Sequence, residues 1–352
     1  MGFYQAMQLS AANLKPLIKN AESKEIKNKY IAALILKSIL CLLFCTIVVI
    51  SFGKVFGEEN NVVGVVTVIS LLNFRFSNLD FKVRQAALTI VGIFGVLSIS
   101  PYIASISNPF LGFIINFISI IGILILTCHN VRLCNHSILV LSYFLLYGYK
   151  VENTEILINR IIGLIFGGIL VASIFYIKQR KIEFKNTFID IINDVDFNTE
   201  RTKWQLKFAF VTTSAIMIGE FLHIPRAMWI GIACMSVFHP DKSQLQIRYK
   251  QRMLYMVLGC LMYMSIYFLI PQQFRGLIGL IGGVMIGFSG TYKWQTVFNA
   301  FGALSAATPI LGFGGAIIFR ILNNVFGALY SKGFDYIINF IENKEFTNVN
   351  EA

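Results

Sequence analysis

Charge is scarce in this sequence. Only 14% of its 352 residues are Asp, Glu, Lys or Arg, where a soluble domain carries about a quarter. Several long stretches have no charged residue at all, among them Pro109 to Thr127 and Trp294 to Phe319. A large soluble helical core needs polar outer faces, and these segments lack them. Paired cysteines are missing too. Cys41, Cys45, Cys128, Cys134, Cys234 and Cys260 form no C-x-x-C motif, and most sit in apolar runs. They read as small buried hydrophobes rather than disulfides or metal ligands. There is no phosphate-binding loop followed by a lysine, no nucleophile elbow and no metal-ligand cluster. These absences leave no basis for an enzyme or a bound cofactor.

What remains is hydrophobic. Apolar residues make up 56% of the chain and the mean hydropathy is +0.68. An apolar run of about 18 residues or more can cross a bilayer, so the composition predicts an all-α polytopic membrane protein with the lipid bilayer as its surroundings. Spans are expected at residues 30–52, 61–74, 81–103, 109–127, 134–148 and 154–177, then at 204–222, 227–238, 248–270, 276–291, 294–308 and 313–330. Thr308-Pro309 is expected to break the last pair. This gives five segments: a basic N-terminal segment (1–29), a first six-helix repeat (30–177), a linker (178–203), a second six-helix repeat (204–330) and a tail (331–352). The lysine-rich start has no small-residue cleavage site after its first apolar run and reads as a cytoplasmic segment, not a signal peptide. The runs near Asn61 and Ala227 have short apolar centres, the pattern of half-helices around transporter binding sites.

The net charge of +12 suggests nucleic acid only in a soluble protein, and no nucleic-acid motif is present. Here it sets topology. With the N-terminus inside, 22 of the 30 Lys and Arg residues fall on inner segments, from Lys15 through the cluster Lys178–Lys203 to Lys344; Lys54, Lys150, Arg226 and Arg275 fall outside. Both termini and the linker are therefore expected in the cytoplasm, with the chain in the plasma membrane. Within the linker, Phe184, Phe188, Ile191, Ile192 and Val195 recur at helical spacing and predict an amphipathic helix.

The two halves repeat. An offset of 167 pairs Gly64 with Gly231 and Gly92 with Gly259. An offset of 160 lays Arg160-Ile-Ile-Gly-Leu-Ile-Phe-Gly167 over Arg320-Ile-Leu-Asn-Asn-Val-Phe-Gly327. Six spans per half make the repeats parallel. Gly163, Gly167, Gly231, Gly259 and Gly327 are read as helix-packing positions, and the Gly-x-x-x-Gly spacing at Gly279, Gly283 and Gly287 as close helix contact.

These residues carry a resemblance. Met228-Trp-Ile-Gly-Ile-Ala-Cys-Met-Ser-Val-Phe-His-Pro240, Asp241, Tyr249-Lys-Gln-Arg252 and Gly259 resemble the fusaric acid resistance (FUSC-like) family, which includes aromatic acid exporters. Arg160-Ile-Ile-Gly163 is similar to its Arg-x-x-Gly pattern. The resemblance implies an inner-membrane protein that exports aromatic carboxylates. Long members of that family carry a large cytoplasmic domain between the halves, which the short linker here replaces.

An arginine inside a span costs at least about 2.5 kcal/mol on insertion scales. Arg160 and Arg320 are therefore candidate ligands of an organic anion, with Phe166 and Phe326 as aromatic neighbours; the competing reading is that both arginines snorkel to the outer surface. Glu220 is the candidate proton-coupling group, against a plain interfacial carboxylate. Lys37 and Lys207 are read as snorkelling cations, and His129 and His136 flank Arg132 in a loop. The expected function is efflux of a small organic anion. The alternatives are a non-transporting envelope scaffold or an anion channel, and homo-oligomerisation stays open.

Overall fold

The computed structural model describes residues 1–130 and 136–350, and among the described residues all regular structure is helical. Arg132 and Cys134 lie outside the described residues, as do the side chains of His136, Lys242 and Lys344. The helices are α1 (Phe3–Gln8), α2 (Ala11–Lys19), α3 (Lys24–Phe56), α4 (Asn61–Phe74), α5 (Val83–Ile106), α6 (Pro109–Thr127) and α7 (His136–Gly148). After them come α8 (Thr154–Gln179), α9 (Phe188–Asn193), α10 (Glu200–Phe221), α11 (Met228–Val237), α12 (Lys242–Leu269), α13 (Ile278–Phe288) and α14 (Tyr292–Asn350). Among the described residues, six helical stretches are long and apolar enough to cross a membrane: Lys24–Phe56, Val83–Ile106, Pro109–Thr127, Thr154–Gln179, Ser243–Leu269 and Tyr292–Ile341.

Side chains fix many of the helix starts. Asn108 accepts from Leu111 N at 2.9 Å ahead of Pro109, whose missing N–H costs nothing at the first helical position. Asn153 does the same for α8 through Ile156 N at 2.9 Å. Three expectations are corrected. The linker helix is six residues long, because Thr187 and Asp190 form a capping box that starts it at Phe188. The break in α14 falls at Gly312 (φ 70°), not at Thr308-Pro309. Thr308 Oγ1 bonds Leu304 O at 2.7 Å inside continuous helix, and glycine is the residue that takes a positive φ without steric cost. Finally, α12 starts at Lys242, six residues before the expected Arg248, and brings Arg252 well inside the helix.

The chain forms two compact units that interleave along the sequence: Met1–Ile47 with Gln246–Val325, and Val48–Leu245 with Phe326–Ala352. In the first, Ala6, Ala11, Leu14, Ala33 and Leu34 make a small core under the N-terminal helices. Lys37 Nζ donates to the Leu9 carbonyl at the end of α1, so this lysine ties the N-terminal helices to α3. Glycines bring α13 close to its neighbours: a Cβ at Gly283 would stand 2.8 Å from Leu42 Cδ1, and one at Gly287 2.9 Å from Ser38 Cβ. A Cβ at Gly259 of α12 would come just as close to the Val297 carbonyl, at 2.6 Å.

The second unit packs by the same device. A Cβ on Gly64 of α4 would sit 2.9 Å from Val49 Cα of α3. At Gly231 of α11 it would lie 2.4 Å from Ile216 Cδ1 of α10. A Cβ on Gly163 of α8 would lie 3.2 Å from Phe56 and Val63, and one on Gly167 2.3 Å from Thr67 Oγ1. A Cβ on Gly327 of α14 would lie 2.5 Å from the Ile230 carbonyl. A backbone carbonyl cannot swing aside as a side chain can. Gly259→Ala and Gly327→Ala should therefore lower the melting temperature in detergent, the clash of about 1–3 kcal/mol outweighing the roughly 1 kcal/mol that alanine gains in helix propensity. Gly92→Ala, where nothing lies within 4 Å, should leave the melting temperature unchanged or raise it.

Candidate functional site: two buried arginine nests

Helix α8 presents Arg160 to the interior of the second unit, where it is 4% exposed. Its Nε donates to Asn60 Oδ1 at 3.0 Å, its Nη1 to the Tyr149 carbonyl and its Nη2, at 3.5 Å, to the Glu59 carbonyl. Asn60 is held in turn: its Nδ2 donates to Phe56 O at 2.8 Å and Ile156 O at 3.1 Å. Arg226, on the segment between α10 and α11, donates to the Gly148 carbonyl at 3.2 Å and lies over the Tyr149 ring at 5.0 Å. Two guanidiniums thus satisfy carbonyls at the C-terminal end of α7, where a helix leaves acceptors unpaired and cations are favoured. Arg160 is buried and tied to protein oxygens, so it does not snorkel.

The second nest lies in the first unit. Arg252 of α12 donates through Nε and Nη2 to Asn324 Oδ1 at 3.0 and 2.7 Å. Asn324 Nδ2 donates back to the Arg320 carbonyl at 2.7 Å. Arg252 and Arg320 are each 4% exposed, Asn323 and Asn324 are buried with them, and the Arg320 charge reaches Cys260 on the inner face of α12. No Asp or Glu occurs between Asp241 and Asp335. The other carboxylates of this unit are Glu22 and Glu25, both exposed. Arg252 therefore meets a neutral amide in a stretch that supplies no negative charge. A buried cation is costly unless an anion neutralises it.

The remaining candidates fall elsewhere. Phe166 is exposed on another face of α8 from Arg160 and packs with Phe52 and Phe56, ring centroids 6.0 and 6.2 Å away. The structure does not bring it to the arginine. Phe326 stacks on Tyr330 at 6.0 Å in the second unit. Glu220 ends α10 half-buried, in electrostatic and hydrogen-bonding reach of the Tyr147 hydroxyl. His129 contacts Arg201 Nη1 at 3.2 Å, and Arg201 bridges to Asp194 at 2.9 Å. Burial, with the Arg201 charge, holds the His129 pKa below its usual value. Sequence reasoning named Arg252 with Gly259 in the family resemblance and counted it among the inner cations, but did not make it a site residue and did not single out Asn60 or Asn324. The signal for Arg252 was its spacing: seven residues from Gly259 is nearly two helical turns, so it shares the packed face.

The Arg160 nest predicts a structural phenotype. Arg160→Lys and Asn60→Ala should each lower thermal stability, since an orphaned buried polar group costs about 1–3 kcal/mol. Together they should cost less than the sum, as partners in one network do. Additive losses in melting experiments would show that the two side chains act independently.

The fusaric acid resistance protein-like family model matches residues 214–331. The matched stretch begins in α10 and ends in α14; it takes in Gly231, Arg252, Gly259, Arg320 and Gly327. No curated protein and no solved structure matches the chain. Over residues 214–331 the chain is thus similar to the fusaric acid resistance protein-like family, as Met228-Trp-Ile-Gly231 and Arg252 with Gly259 indicate.

Proposed function

We propose that the chain is a plasma-membrane transporter that exports small organic anions, aromatic carboxylates among them. The observation that carries this is the Arg252 nest: a buried guanidinium met by a neutral amide, beside Arg320, in a stretch without a carboxylate. A guanidinium matches a carboxylate bidentately, which an ammonium does not. On this reading Arg252 and Arg320 bind the anion, and Arg160 is the tie that holds the second unit's helices. Glu220, beside Tyr147, is the candidate for coupling to protons.

Twelve membrane helices in two parallel repeats fit this reading, with α3 to α8 as one set and α10 to α14, parted at Gly312, as the other. Packing supports it. Gly64 seats α4 on α3 as Gly231 seats α11 on α10, and Gly167 seats α8 on α4 as Gly327 seats α14 on α11. The distribution of lysine and arginine supports cytoplasmic termini. An impermeant thiol reagent added outside cells should label Glu58→Cys and spare Asp190→Cys in a cysteine-free background; the reverse pattern would overturn the orientation.

Efflux itself is tested with Arg252→Lys and Arg320→Lys. Cells carrying either variant should accumulate weak aromatic acids that wild-type cells expel. Losing one charge-assisted bond, about 1.5–3 kcal/mol, corresponds to roughly a ten- to hundredfold slower export, and membrane abundance should stay near normal. Wild-type rates from both variants would sink the anion-site reading. Low abundance together with wild-type transport per molecule would point to the scaffold role instead.

A further inference from the structure

The second unit carries a cavity of about 780 Å³ along α5 and α6, which no step above uses. Two glycines are among the residues that line it. At both Gly92 of α5 and Gly122 of α6, an added Cβ would meet nothing within 4 Å. Gly259, the repeat partner of Gly92, is by contrast closed by Val297 and Ala300. From Gln85 to Ser100 the groove runs about 22 Å along α5 at the helical rise of 1.5 Å per residue. That exceeds the roughly 15 Å depth of one leaflet's hydrocarbon.

The groove opens outward on two helices apolar enough to span a membrane, and its rim residues Leu88 and Ile118 are exposed. The surroundings there are hydrocarbon, and an unfilled apolar groove forfeits the dispersion contacts of its whole lining. One end is closed by α9. Phe188 N donates to Gln85 Oε1 at 2.8 Å and places Phe188 and Ile189 against the opening. Lys82, the N-cap of α5, and Arg84, in its first turn, stand exposed at that same end, where the helix dipole also favours an anion. The neighbouring carboxylate, Asp190, accepts from Thr187 N at 2.7 Å and Thr187 Oγ1 at 2.8 Å, and the Lys82 charge also reaches it, leaving Arg84 beside the pair as a second cation.

We infer that this groove holds an acyl chain of an anionic phospholipid, with its phosphate at Lys82 and Arg84. The inference needs only membrane residence and is independent of transport. Native mass spectrometry of the purified full chain tests it, with phosphatidylglycerol and phosphatidylcholine of identical acyl chains as probes. The wild type should retain phosphatidylglycerol roughly tenfold or more over phosphatidylcholine, as two interfacial cations allow. Lys82→Gln with Arg84→Gln should abolish that preference and leave phosphatidylcholine retention unchanged. Gly92→Leu and Gly122→Leu, which fill the groove, should lose the retained lipid while staying monodisperse. Equal retention of both lipids by the wild type overturns the inference, and so does a preference that survives in the double Gln variant. A folded leucine variant that keeps the lipid places it outside the groove. If the leucine variants fail to fold, the surface Gln variant decides.

Discussion

A guanidinium buried in a low-dielectric interior needs oxygen around it, and in this chain the helices are arranged to supply that oxygen. Arg160 lies in the second turn of α8 and reaches the Asn60 side chain and the Tyr149 carbonyl. Those two groups belong to the start of α4 and the end of α7, so one side chain sets the relative height of three helices. Arg226 completes the arrangement at Gly148 O. Each of these carbonyls would otherwise end a helix without a partner, and a buried acceptor left unpaired costs about 1–3 kcal/mol. The charge and the helix end solve one another's problem.

Close approach of backbones makes such reach feasible. Between helices in lipid there is no hydrophobic driving force, so packing and short polar contacts hold the bundle. Gly163 and Gly167 bring α8 down onto α4 until Thr67 Oγ1 stands where a Cβ would be. Without that approach Arg160 would fall short of Asn60. On α12, Gly259 lies two turns along the same face as Arg252 and brings that face onto α14 at Val297, within the unit where Asn324 receives the guanidinium.

Much of this was legible in the residues. Long uncharged runs such as Pro109–Thr127 appear as helices with the expected bounds, because capping Asn108 and Pro109 mark the start in the sequence itself. Gly64, Gly231, Gly259 and Gly327 were legible as packing positions because a side chain there would meet a neighbouring helix, whereas Gly92 has open space around it. The linker helix was over-read: Phe184 to Val195 has helical spacing, but Thr187 and Asp190 cap the chain midway and allow six residues. Gly312 was missed in favour of Pro309, because proline at a helix's edge is a visible signal while a positive φ depends on the helix that follows. Asn60 and Asn324 were invisible as partners because each meets its arginine from 100 and 72 residues away. Phe166 was read as a neighbour of Arg160, yet six residues along a helix turn a side chain well away from the starting face.

The two nests differ in the acceptors their guanidiniums meet. Arg160 spreads its donors over three oxygens, two of them backbone carbonyls at helix ends, so its charge is solvated by fixed dipoles. Arg252 places both of its recorded bonds on the single Asn324 oxygen. A guanidinium has five N–H donors in a planar fork, and one amide oxygen cannot neutralise a full charge. The first arrangement draws on three protein oxygens from the segment before α4 and the end of α7. The second lies in a stretch of more than ninety residues with no carboxylate of its own, where a substrate carboxylate would bring both the missing charge and a matching pair of acceptors. The two nests therefore differ in how far the protein's own oxygens satisfy the buried guanidinium, although Arg160 and Arg320 hold matching sequence positions.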